Sequence, residues 1–156
     1  MMRRITDKWD IYYLTIAHAA AQLSKDKNTK VGAVIVGPDR EIRATGFNSF
    51  PRGINDNVAA RQERPLKYKF FEHAERNAIY NAARVGIPLK GCYIYVPWTP
   101  CSDCARAIIQ VGITKVFCEY KHPLRWQDSC GPSLQMLDEA QIPVAYLNFI
   151  TLPEAP

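Results

Sequence analysis

The 156-residue chain is 47% hydrophobic and 22% charged, an ordinary balance for a globular protein, and its length suits one domain with an adequate core. No stretch approaches the ~18 consecutive apolar residues of a membrane span, and Met1 to Asp10 lacks the apolar run and cleavage site of an export signal. A formal charge of +5 favours anionic partners such as phosphate without requiring a polymer, and five cysteines, an odd number, argue against a disulfide framework and for a reducing, cytoplasmic setting.

The first predicted element is a helix from about Lys8 to Lys25, with Asp7 as N-cap and Trp9, Tyr13, Ile16, Ala20 and Leu23 on one stripe. Val31–Val36 and Glu41–Phe47 then read as a hairpin turning at Gly37-Pro38-Asp39-Arg40. Residues 48–72 are polar, basic and broken by Pro51, Gly53 and Pro65, and are expected to form a lid or insertion. A helix is predicted over His73–Val85, stopped by Gly86 and Pro88. Strand Cys92–Val96, a turn at Pro97–Pro100, helix Cys101–Val111 ended by Gly112, and strand Lys115–Glu119 follow. Helix Ser133–Ala140 and strand Val144–Phe149 complete an alternation that suits a mainly parallel sheet with helices on its faces.

His73-Ala74-Glu75 and Pro100-Cys101-Ser102-Asp103-Cys104 supply an imidazole, two thiols and one spare carboxylate at the starts of two predicted helices. A nitrogen and two thiolates suit borderline-soft Zn²⁺, and three protein ligands leave the fourth tetrahedral position for water, as a catalytic site requires. Cys101 and Cys104, three apart, share a helix face, where a helix N-terminus favours thiolates. Thiolate donors weaken the metal's Lewis acidity, which gives Glu75 a separate role in carrying a proton from water to substrate. A purely structural zinc module would need a fourth ligand, for which His122 and Cys130 are the nearby candidates, neither with paired spacing. Cys92 and Cys118 sit in apolar runs and read as core.

These ligands together form the known signature of zinc nucleobase deaminases, and the resemblance extends further. Val31-Gly32-Ala33-Val34-Ile35-Val36, Gly46-Phe47-Asn48-Ser49-Phe50-Pro51-Arg52-Gly53, His73-Ala74-Glu75-Arg76-Asn77-Ala78-Ile79 and the run from Pro100 to Ile113 resemble successive blocks of the deoxycytidylate deaminase family, within the zinc-dependent cytidine deaminase superfamily. The resemblance implies an α/β fold of three layers, a mixed five-stranded sheet with helices on both faces, spanning residues 1–156 as one deaminase domain with a basic insertion at about 48–72. It implies Zn²⁺ held by His73, Cys101 and Cys104, Glu75 as the catalytic carboxylate, hydrolysis of dCMP to dUMP and ammonia, and a homo-oligomer.

By position, Asn48 matches the family asparagine that bonds the substrate sugar, and the backbone at Ala74 and Thr99 reads the pyrimidine edge. Trp126, before Gln127-Asp128-Ser129, is a candidate to stack on the base, and Arg52 is the chosen cation for a 5′-phosphate among Arg61, Arg64, Lys67 and Lys69. Ser49 stands where the family has a glycine linked to its regulatory nucleotide site, and the segment Glu119–Asp128 departs from the pattern near the expected pocket mouth. Another free nucleotide, nucleoside or base, or tRNA or another polynucleotide, therefore stays open as substrate, with a zinc module without turnover as the last alternative.

Overall fold

The computed structural model of the chain describes residues 7–120 and 127–148. Helix α1 (Lys8–Ala21) starts where its cap dictates. The Asp7 carboxylate accepts the Trp9 and Asp10 N–H bonds at 2.9 and 3.0 Å, and Asp10 accepts the Asp7 N–H in return. The helix ends at Ala21 and not near Lys25, and Leu23, expected on the buried stripe, is 66% exposed.

Strands β1 (Gly32–Val36), β2 (Ile42–Phe47), β3 (Tyr93–Trp98), β4 (Lys115–Tyr120) and β5 (Val144–Tyr146) form one sheet in the order β2-β1-β3-β4-β5. β1 is antiparallel to β2 and β3, whereas β3, β4 and β5 run parallel, so the sheet is mixed. Pro97 lies inside β3, where the sequence predicts a turn. The pairing of β3 with β1 runs from Tyr93 to Tyr95, so the missing N–H of Pro97 falls beyond that ladder. Phe149, the expected end of the last strand, lies outside the described residues.

Side chains alternate between the two faces, as strand geometry requires. Val34, Val36, Tyr95 and Phe117 meet Tyr13, Leu14 and Ala17 of α1, with Tyr95 and Phe117 stacked at 4.4 Å. Asp10 is buried on this face because the Tyr95 hydroxyl donates to its carboxylate at 2.9 Å. Contact here is close: a Cβ on Gly32 would fall 1.9 Å from the Ala17 carbonyl oxygen, which explains why the buried stripe runs through 13, 14, 17 and 21.

On the other face Ala33, Ile35, Ile94, Val96, Val116 and Cys118 pack beneath α3 (Ala74–Val85), α4 (Ser102–Gln110) and α5 (Gln127–Glu139). This is the expected three-layer arrangement. α5 begins six residues before the expected Ser133 and carries Pro132 inside it. Tertiary contacts explain this: Ser129 and Ser133 are anchored against the turn that starts α4, which overrides the Gly131-Pro132 break signal.

The 48–72 insertion is better ordered than its composition suggests. It holds a 3₁₀ turn at Ala59–Gln62 and the short helix α2 (Lys67–Phe70), and Lys67, one of the bases weighed for the phosphate, is buried against Asp26. No helix among the described residues is long and apolar enough to cross a membrane.

Candidate metal centre

α3 is fastened over the free edge of the sheet. Asn77 Nδ2 donates to the Phe47 carbonyl at 2.8 Å and Asn81 Nδ2 to the Thr45 carbonyl at 2.7 Å, two alternate carbonyls of β2. Gly46 between them lets the helix approach, since a Cβ there would lie 2.3 Å from Ala78 N and 2.5 Å from Ala74 O. His73 is the N-cap of α3 and Cys101 the N-cap of α4, and neither side chain makes a capping hydrogen bond. Both side chains turn instead toward one point at the carboxyl end of β3.

There His73 Nδ1 lies 3.5 Å from Cys101 Sγ and 3.6 Å from Cys104 Sγ, and the three ligand atoms all fall within 4.8 Å of one another. An imidazole nitrogen and two buried thiols at this separation fit a single Zn²⁺ ion. The Cys101 thiol is pulled down to about 4 by its hydrogen bond with Cys104 and by His73, against the burial that raises it. Cys104, on the other side of that bond and more deeply buried, is pushed up.

Glu75 is 4% exposed. Burial holds its carboxyl above the ordinary range although the neighbouring His73 acts to lower it, and it lies in the first turn of α3, two residues beyond His73. His73 itself is raised: burial works to lower it, but Cys101 and Glu75 outweigh burial.

Five residues around the cluster escaped the sequence: Glu72, Arg76, Tyr146, Ser129 and Ser133. Glu72 Oε1 accepts the His73 N–H at 3.1 Å and pairs with Arg76, whose Nη1 also lies 3.4 Å from Asp103. The i, i+4 spacing of Glu72 and Arg76 was the available signal. The Thr99 hydroxyl lies 2.9 Å from the Tyr146 hydroxyl, and Ser129 and Ser133 reach the Cys101 turn from α5. Those three depend on long-range packing and left no local trace.

Ala74 is fully buried as the first residue of α3, where its N–H is one of the orphan donors of a helix start. Thr99 is 1% exposed and lines a groove of about 680 Å³ with Cys130, Leu134 and Tyr146. Asn48 is buried; its Oδ1 accepts the Val31 N–H at 2.8 Å, and its Nδ2 donates to the Thr29 carbonyl at 2.8 Å and to Asp26 at 3.3 Å. Both amide donors are engaged, leaving Oδ1 one further lone pair. Arg52 donates to Asn81 at 2.6 Å in a cleft of about 570 Å³. Asn81 is eight residues beyond His73, about 12 Å of helix rise, so the structure does not bring Arg52 to the cluster. Trp126 and His122 lie outside the described residues.

Residues 7–120 match the family model for the cytidine and deoxycytidylate deaminase zinc-binding region. The chain is 40% identical over 143 residues to an uncharacterized deaminase from the luxG 3′ region of Aliivibrio fischeri, covering 90% of this chain and 94% of that one. It is 40% identical over 114 residues to the deoxycytidylate deaminase of Homo sapiens, covering 70% of this chain but 63% of that protein, less than two thirds of its length. The dCMP deaminase of cyanophage S-TIM5, solved in complex with dCMP and dUMP, superposes with a TM-score of 0.75 at 26% identity, covering 92% of this chain and 99% of that one.

Proposed function

The chain belongs to the cytidine and deoxycytidylate deaminase family, and on that premise we propose that it hydrolyses dCMP to dUMP and ammonia in a zinc-dependent reaction. The carrying observation is the convergence of His73 Nδ1, Cys101 Sγ and Cys104 Sγ beside the buried Glu75 carboxyl. Likeness to deoxycytidylate deaminases in sequence and in three dimensions supports the cytosine nucleotide as substrate.

His73, Cys101 and Cys104 would hold the Zn²⁺. When bound, the ion supplies Lewis acidity that makes a water a competent nucleophile near neutral pH, toward a pKa of about 7. Glu75 takes a proton from the attacking water and delivers it to ring N3 as the C4–O bond forms. The same carboxyl then takes the second water proton from the C4 hydroxyl and passes it to the exocyclic nitrogen as the C4–N bond breaks and the C4 carbonyl forms, so dCMP and water become dUMP and ammonia. Burial keeps bulk water from short-circuiting this transfer.

In this reading the orphan N–H of Ala74 and the backbone at Thr99 face the pyrimidine edge. Asn48, with both donors engaged, accepts a hydrogen bond from the sugar hydroxyl through Oδ1. Trp126 as the stacking residue and Arg52 as the phosphate cation are tested by Trp126→Ala and Arg52→Ala, each expected to raise KM for dCMP. The Arg52–Asn81 contact gives the phosphate assignment no support. The whole chain is taken as one deaminase domain acting as a homo-oligomer, which sedimentation would reveal.

The deciding experiment measures ammonia release from dCMP, CMP, deoxycytidine, dAMP, dGMP and tRNA with zinc-loaded protein. Preference for dCMP supports the proposal; turnover of a purine nucleotide or tRNA in its place redirects the substrate, and no turnover of any of them removes the enzymatic reading.

A further inference from the structure

Cys101 faces two demands. As N-cap of α4 it occupies the position whose side chain ordinarily satisfies a helix-start N–H, but its sulfur is turned to His73 and makes no capping bond. α5 supplies an acceptor for another of the helix-start donors. Ser129 Oγ accepts the Ser102 N–H at 3.0 Å and lies 3.0 Å from Ser102 Oγ, so the first orphan donor of α4 is satisfied from a neighbouring helix. On the other side of Cys101, Ser133 Oγ donates to the Pro100 carbonyl at 2.7 Å, and Ser133 is fully buried. Ser129 and Ser133 are four residues apart, on one face of α5. The residues immediately before and after Cys101 are therefore both gripped by the same helix face.

Cys104, one turn into α4, is aimed by the helix itself. Cys101 stands at the junction of loop and helix, where the flanking peptide planes set the direction of the Cα–Cβ bond. We propose that Ser129 and Ser133 are positioning residues for the metal centre: they clamp the Pro100–Ser102 turn so that the Cys101 sulfur is presented to the ion. This rests on the zinc reading above and extends it to residues outside the ligand motif. Hydrogen-bonded partners behind a ligand are worth roughly 10–100-fold in metal affinity when removed.

The test uses the full chain and Co²⁺ as a spectroscopic stand-in for Zn²⁺, because thiolate-to-cobalt charge transfer reports ligand geometry without turnover. Zn²⁺ affinity is measured in parallel by competition with a chromophoric chelator. Ser129→Ala and Ser133→Ala are each expected to weaken Zn²⁺ binding roughly 10-fold or more and to weaken or shift the charge-transfer band, while Ser129→Thr, which keeps the hydroxyl, restores both. Variants that melt earlier but keep wild-type affinity and spectrum would show the serines to be only structural, overturning the clamp. Should Ser133→Ala fail to fold, Ser129→Ala, at a half-buried position, decides the matter. A wild-type protein that binds neither ion overturns the zinc reading itself, an outcome separate from intact binding in the variants.

Discussion

Lys67 Nζ lies 2.6 Å from each carboxylate oxygen of Asp26, and the two side chains are 7% and 5% exposed. This pair fastens the 48–72 insertion to the loop after α1. The same carboxylate accepts the Asn28 and Thr29 N–H groups and meets the Asn48 amide at 3.3 Å.

Lys67→Met should leave Asp26 as a buried charge without its cation, at a cost of about 3 kcal/mol. Acid sensitivity follows from the sign of the shift. Burial works to raise Asp26, but Lys67 and the two backbone donors outweigh it and hold the carboxyl below its ordinary range. A depressed folded-state value gives stability fully present above the unfolded value of about 4, lost as pH falls through the folded value. In the variant, burial acts without the cation, so the loss should begin at higher pH. Urea midpoints from pH 3 to 7 check both; an unchanged midpoint at neutral pH would contradict the pairing.

Glu75→Gln keeps the size of the side chain and its burial but removes the exchangeable carboxyl proton. Turnover should fall by about 10²–10⁴-fold, while zinc content per chain stays at the wild-type level, since the proposed ligands are His73, Cys101 and Cys104. Steady-state ammonia release and metal analysis on the same preparation separate the two effects. A variant with wild-type kcat would show that another group moves the proton.

Gly46 is where β2 and α3 touch backbone to backbone. A Cβ there would sit 2.3 Å from Ala78 N and 2.5 Å from Ala74 O, both main-chain atoms that cannot rotate aside. Gly46→Ala should push α3, and with it His73 and Glu75, away from the Cys101 turn. We expect a stability loss of about 1–3 kcal/mol together with weakened zinc retention. Gly53→Ala is the control: open space surrounds Gly53, but its φ of 81° costs a non-glycine residue about 1 kcal/mol, and zinc retention should not change.

Much of this architecture is legible locally. The Asp7 cap, the continuous apolar run of Val31–Val36 and the stop at Gly86, which takes a φ of 74°, are set by neighbours a few residues apart. The zinc ligands are legible for the same reason, being packed into two short motifs at helix starts. What escaped depends on distant partners. Leu23 follows the helical period but lies past the end of α1. The first turn of α5 holds despite Gly131 and Pro132 because the Cys101 turn anchors it. Lys67 reads as one more surface base until Asp26, 41 residues away, is seen beside it.

Arg76 joins the two helix starts that carry the ligands. From the first turn of α3 it pairs with Glu72, which accepts the His73 N–H, and its other guanidinium nitrogen reaches Asp103 in the first turn of α4 at 3.4 Å. Burial works to lower its pKa, but the sulfurs of Cys104 and Cys101 and the Glu72 carboxylate raise it, so the cation is fixed beside the two sulfurs that would both be thiolates with zinc bound. Arg76→Met should therefore do two things: loosen the His73–Cys101 spacing and remove the charge that balances the thiolates. Zinc affinity is expected to fall about 10-fold or more. Arg76→Lys should recover only part of it, because an ammonium cannot span Glu72 and Asp103 as the planar fork does. Chelator competition on both variants checks this, and full recovery by lysine would reduce the role of Arg76 to charge alone.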